Sequence, residues 1–176
     1  DGKLLAAFGL DQRVNLWSLE RTNPIATVPV SRPSGGHKGV AVISPNNQWL
    51  AVRETDGLIR LLEIPTLAER LRFTGSAEGI TTLAFSPDGR LLAAVSVLGI
   101  GHLYDTATGR KTATMQGFLQ GAHSVSFSPD GQRLAIGSNG NEAIKLWDVE
   151  SLQELLTLKG QGSMFNSVTF SPDGNV

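Results

Sequence analysis

Apolar residues in this chain come in short runs, each closed off by clusters of Gly, Pro, Asp, Asn or Ser. Between residues 80 and 115 the runs are 80–85, 91–97, 100–104 and 111–115, separated by Pro87-Asp88-Gly89, Leu98-Gly99 and residues 106–110. Runs of that length between turn residues predict β-strands, four in succession. Two stretches, 66–71 and 151–156, carry a locally helical signature, the second resembling a capping box before an amphipathic turn. Their counterparts at 25–30 and 112–115 alternate small or β-branched residues and show no helical face, so register assigns all of them as fourth strands.

The register comes from a repeated turn. Ser-Pro-Asp-Gly occurs at 86–89, 128–131 and 171–174, with Ser44-Pro45-Asn46-Asn47 before them, and the serines lie 42, 42 and 43 residues apart. Pro presets the second position of a turn, Asp or Asn bonds its own backbone, and Gly takes positive φ, so each copy predicts a tight hairpin. From the residue after the turn, Lys3, Gln48 and Arg90 precede Trp17, Leu62 and Tyr104 by 14 places, and Gln132 precedes Trp147 by 15. A fixed period in this range marks an array of one supersecondary unit, and four short strands per unit predict a β-propeller blade.

The chain resembles the WD-repeat family of β-propellers along nearly its whole length. The resemblance rests on residues 125–131 (Val-Ser-Phe-Ser-Pro-Asp-Gly), Leu134-Ala135-Ile136-Gly137-Ser138 and Ile144-Lys145-Leu146-Trp147-Asp148. The other repeats read Trp17-Ser18, Leu62-Glu63 and Tyr104-Asp105 at the Trp-Asp position. The implied fold is all-β, with four-stranded antiparallel blades in a partial ring. Repeats are expected at about 1–30 (first strand missing), 31–75, 76–117, 118–160 and 161–176 (first strand only), as a single propeller fragment. The chain thus reads as starting and ending inside repeats of a longer protein. Since the family closes at about seven blades, an open arc is expected, with unpaired edges through which the isolated segment self-associates.

Family blades commonly carry a buried set of His, Ser or Thr, Asp and Trp. Here the His position holds Ser34, Ser76, Phe118 and Gln161, and the second-strand hydroxyl position holds Ala7, Val52, Ala94 and Ile136 or Gly137. The Asp position holds Asp11, Asp56, Leu98 and Asn141. No blade assembles the full set. A buried hydrogen bond nets roughly 1 kcal/mol and a buried large apolar side chain roughly 1.5 to 3, so packing is expected to hold the blades. Asp11 and Asp56 are expected in wet turns.

Charge narrows the partners. With 15 Lys plus Arg against 16 Asp plus Glu the net charge is -1, and basic residues are scattered, so nothing suggests a nucleic-acid footprint and no nucleic-acid partner is expected. The densest group, Arg53, Arg60, Arg70 and Arg72, is interleaved with Glu54, Glu63 and Glu69 and reads as a solvated mixed surface. No apolar run is long enough to span a bilayer, and cysteine is absent. No membrane partner is expected, and the location reads as cytoplasmic.

The three histidines, His37, His102 and His123, stand in different repeats without metal-ligand spacing, and Asp88, Asp130 and Asp173 read as turn formers. No catalytic residue, metal or cofactor is expected. In propellers of this family the loops from fourth to first and from second to third strands share the face that engages partners. Candidate binding residues there are His37, Lys38, Phe118, His123 and Phe165. The two phenylalanines either anchor a protein partner or fold inward between blades. The expected function is a non-catalytic protein-interaction scaffold within a larger propeller. The alternative is a regulatory or substrate-gating propeller of a larger enzyme, a kinase or serine peptidase with its active site elsewhere.

Overall fold

A computed structural model describes residues 2–31, 40–74, 79–117, 121–139, 142–160 and 167–174. These residues form four antiparallel sheets that follow chain order. Blade 1 has three strands, β1 (Leu4–Phe8), β2 (Arg13–Ser18) and β3 (Ala26–Pro29). Blade 2 is β4 (Val40–Ile43), β5 (Trp49–Arg53), β6 (Leu58–Glu63) and β7 (Ala68–Thr74). Blade 3 is β8 (Ile80–Phe85), β9 (Leu91–Ser96), β10 (Gly101–Asp105) and β11 (Lys111–Met115). Blade 4 is β12 (Ala122–Phe127), β13 (Arg133–Ser138), β14 (Glu142–Asp148) and β15 (Glu154–Lys159). The sheets form an open array and do not close into a ring. One strand assignment fails: residues 167–170 were expected as a first strand and form none, since no neighbouring strand supplies them a hydrogen-bonded ladder.

The repeated turn closes each hairpin from within. Ser86 Oγ donates to Asp88 Oδ1 at 2.6 Å, the same oxygen accepts from the Arg90 amide at 3.0 Å, and the Leu91 amide donates back to Ser86 Oγ at 2.9 Å. Ser128, Asp130, Gln132 and Arg133 repeat this set. In blade 2 the Asn46 carboxamide oxygen stands in for the carboxylate, and Asn47 takes the positive-φ place at 56° that Gly89 and Gly131 hold at 72°. These turns also stack. A methyl group added at Gly131 would lie 3.4 Å from Pro87 Cδ, and one at Gly174 would lie 3.6 Å from Pro129 Cδ.

The loops from third to fourth strand show why the helical signatures do not become helices. Asp148 Oδ1 accepts from the Ser151 amide and hydroxyl, both at 2.7 Å, which starts one turn. Leu152 then enters the left-handed region at φ 59° and ends it. Leu67 at 57° and Gly109 at 71° hold the same place in blades 2 and 3. The chain leaves each loop extended, as β7, β11 and β15.

Three apolar clusters fill the spaces between consecutive blades. Val14, Leu16, Leu50, Val52 and Leu62 join blades 1 and 2; Ala51, Ile59, Leu61, Leu83, Leu92 and Tyr104 join blades 2 and 3; Val95, Leu103, Met115, Phe127, Ile136 and Trp147 join blades 3 and 4. Val52, Ala94 and Ile136, at the hydroxyl position of the family's set, lie fully inside these clusters. The consequence falls on the aromatic landmark. Trp147 Nε1 is buried with no hydrogen-bond partner. Tyr104 instead reaches across to blade 2, its phenol donating to the Thr74 carbonyl at 3.3 Å over the Phe73 ring, and burial pushes its pKa up to about 12.

Candidate functional site

The expected binding face is the loop side, opposite the repeated turns. Four of its candidate residues, His37, Lys38, Phe118 and Phe165, lie outside the described residues. The fifth, His123, is on the innermost strand of blade 4, at the bulge where pairing slips between Ala122 and Ser124. Its counterpart in blade 3 is Thr81, at the equivalent bulge between Ile80 and Thr82. Thr81 Oγ1 donates to the Val95 carbonyl and, at 2.6 Å, to the Ala122 carbonyl that opens the next inner strand. Arg53 does the same one blade earlier, donating to the Ile80 carbonyl. His123 Nε2 is buried and has no partner, and neither do Ser124 Oγ and Asn139 Oδ1 beside it in sequence and ladder. Three unpaired polar atoms at one blade end are costly, about 1 to 3 kcal/mol each, unless a further group meets them.

His102, one of the three histidines without metal-ligand spacing, is satisfied and buried. Its Nδ1 lies 3.1 Å from Thr114 Oγ1 and its ring stands edge-on to Tyr104. Burial, with Lys111 nearby, lowers its pKa and keeps it neutral. Asp88 and Asp130 are turn formers: their carboxylates are held below the usual range chiefly by the Ser86 and Ser128 hydroxyls. Asp11 sits in an exposed turn, its Oδ1 facing the Arg13 amide at 3.3 Å.

The mixed-charge group is not the solvated surface its sequence suggests. Arg70 is exposed and Arg72 half-exposed, but Arg53 and Glu54 are buried, and the Arg60 side chain is 12% exposed. The reason is placement: Glu54 directly follows the second strand of blade 2, Arg60 lies on the third and Glu69 and Arg72 on the fourth, so strand pairing draws them together against blade 1. Arg60 bonds Glu54 at 2.8 Å, Glu69 at 2.8 Å and the Pro29 carbonyl of blade 1 at 3.0 Å. Arg72 grips both oxygens of Glu69, at 3.0 and 2.8 Å. This network floors a loop-side notch of about 600 Å³ whose wall includes Asp11, Gln12, Arg13 and Ser31.

Arg60 belongs to a pattern that sequence reading missed. The residue two places before the aromatic landmark is Asn15, Arg60, His102 or Lys145, always polar and facing the fourth strand. Asn15 meets Thr27 at 2.6 Å, and Lys145, buried, meets Thr157 at 3.0 Å and Glu154 at 2.9 Å. The register signal was present, but four different side chains disguised one structural role.

Residues 68–105 and 109–148 match the family described as WD40: WD domain, G-beta repeat. Each matched segment runs from the outermost strand of one blade, or the turn before it, through the third strand of the next, so the sequence unit straddles the blade boundary. A search of curated proteins finds no match.

Proposed function

This chain carries WD40 repeats, and from that premise we propose that it is a non-catalytic protein-interaction scaffold and one arc of a larger propeller. WD40 repeats are generally protein-interaction scaffolds. The observation that carries the reading is what the recurrent polar residues do: Asp88, Asp105, Asp130 and Asp148 each accept bonds within their own turn. Among the described residues the carboxylates of these turns are spent on building blades, and binding is left to the loop side.

The end faces of the array support the second half of the proposal. On blade 4 the far face presents Leu156 and Leu158, 48% and 46% exposed, whose blade 3 counterparts Ala113 and Met115 are 8% and 1% exposed beneath blade 4. On blade 1 the near face presents Leu5, 53% exposed, and Trp17, the counterpart of buried Tyr104 and Trp147. His123 stands where Thr81 finds the carbonyl of a following blade. On its own the chain is expected to self-associate through these surfaces and the free edge of β1. Sedimentation should show association with rising concentration, reduced by Leu158→Glu.

The scaffold reading is tested by placing a photo-crosslinking residue on either side of a monomeric variant. Protein adducts are expected from Gln12 or Asn139 on the loop side and not from Gln132 on the turn side. Turnover lost on changing His102 or His123 would overturn the reading. Adducts confined to a linked kinase or peptidase would favour a regulatory propeller instead.

A further inference from the structure

We infer that the loop-side notch between blades 1 and 2 is a binding site for a carboxylate-bearing peptide segment, an inference that rests on the scaffold reading and names the chemistry of one partner. The notch, about 600 Å³, has room for a few residues of an extended chain. Two of its arginines, Arg60 and Arg72, are fixed before any ligand arrives. Glu54 and Glu69 hold the Arg60 guanidinium between them, and Glu69 holds Arg72 through two of its nitrogens; among the described residues none bonds Arg72 Nη1. Across the opening, Arg13 of blade 1 is exposed, and among the described residues no carboxylate pairs with its guanidinium. Asp11 does not compete for it: one carboxylate oxygen faces its own loop's Arg13 amide, folded over Gly9.

The site is therefore rich in donors. Guanidinium groups match carboxylates in planar, bidentate fashion, and two of them lining one notch suit an acidic side chain or chain terminus. The same geometry disfavours a nucleic acid. Asp11 and Glu54 line the notch with the arginines, and Glu69 bonds Arg60 and Arg72, so a polyphosphate chain would meet negative charge along its length, whereas one carboxylate bound by Arg13 and Arg72 would meet less. Arg60, tied to both carboxylates and to the Pro29 carbonyl, positions the wall without being needed to touch the ligand.

The experiment titrates the full chain with an end-blocked pentapeptide carrying a single glutamate among alanines, by calorimetry. Saturable binding is expected, weakened roughly five- to tenfold by Arg13→Ala and by Arg72→Ala, the scale of one charge-assisted bond. Arg110→Ala, an exposed cation on the turn side, should leave it unchanged. Arg13→Lys should recover part of the loss, and about 1 M salt should abolish binding because exposed charges are then screened beyond about 3 Å. Arg13 is exposed and Arg72 half-exposed, so both variants should fold, checked by unaltered melting curves. No binding, binding equal in all variants, or stronger binding of oligouridylate or inorganic phosphate would overturn the inference. If the single-glutamate peptide fails while loop-side protein adducts persist, only the notch is lost; if it binds and the adducts vanish, the scaffold reading is lost instead.

Discussion

Ser124 and Ser128 lie four residues apart, both buried, one at the loop side of blade 4 and one at the turn side. Ser128 Oγ bonds Asp130, the Arg133 amide and the Arg133 carbonyl, all within its own turn. Ser124 Oγ has no partner. The same division runs along the array. Ser44, Ser86 and Ser128 close their turns with bonds to residues two to five places away. On the loop side some bonds are local, as from the Ile100 amide to Ser96 Oγ, but Thr81, Arg53 and Arg60 reach into the next or preceding blade. The hydroxyls of the repeated turns are thus satisfied repeat by repeat, while several loop-side groups depend on neighbours.

The largest effect that tests this division is Ser128→Ala. It strands the Arg133 amide and removes the hydroxyl from the exposed Asp130 carboxylate, and should cost about 2 kcal/mol in chemical denaturation, as loss of two part-buried hydrogen bonds of about 1 kcal/mol each does. A cost under about 0.5 kcal/mol would erase the distinction. Gly131→Ala should come next, at about 1 to 2 kcal/mol, because a side chain at φ 72° is strained and the added methyl meets Pro87.

Acid should soften the turn side in particular. The Asp88, Asp105, Asp130 and Asp148 carboxylates are held low by hydroxyl and amide donors in the fold. A depressed folded pKa means the unfolded chain binds protons first, so this stability is full above the unfolded carboxylate range and is lost as pH falls through the folded values. An earlier, separate loss belongs to His102. Burial lowers its folded pKa, so its contribution is complete above the unfolded value near about 6.5 and declines below it. His102→Gln should remove the early phase and keep the late one, read from denaturation midpoints across pH. Amide exchange at Arg90 and Gln132 should rise in acid before exchange at Thr82. The smallest effect is expected from Ser124→Ala, between no change and a gain of about 1 kcal/mol, since it deletes an unpaired buried hydroxyl. A loss of more than about 1 kcal/mol would show that Ser124 is satisfied after all.

Much of the fold was legible because its determinants are local. The strands of blade 3 fall within a residue of the runs read from hydrophobic pattern, and register alone placed β7 and β15 against a helical signature. That signature was itself accurate for one turn, the one Asp148 caps before Leu152 ends it. The candidate site was less legible. Of its expected residues only His123 is described, and its character as an unpaired group follows from what Thr81 does one blade earlier.

The sequence by itself determined the period, the turns and the strand order, because Ser, Asp and Gly in those turns bond partners within five residues and leave no other fold open to the segment. Only the tertiary structure decided which charges are buried. Arg60 and Glu54 read as surface in a one-dimensional pattern, yet Arg60 meets a carbonyl 31 residues earlier, because adjacent blades press the third strand of one against the end of the other. Side-chain identity at a repeated position is free of the period, so the period carries no record of what each inter-blade space will hold: an arginine notch between blades 1 and 2, a histidine and tyrosine between 2 and 3, a buried lysine and tryptophan between 3 and 4.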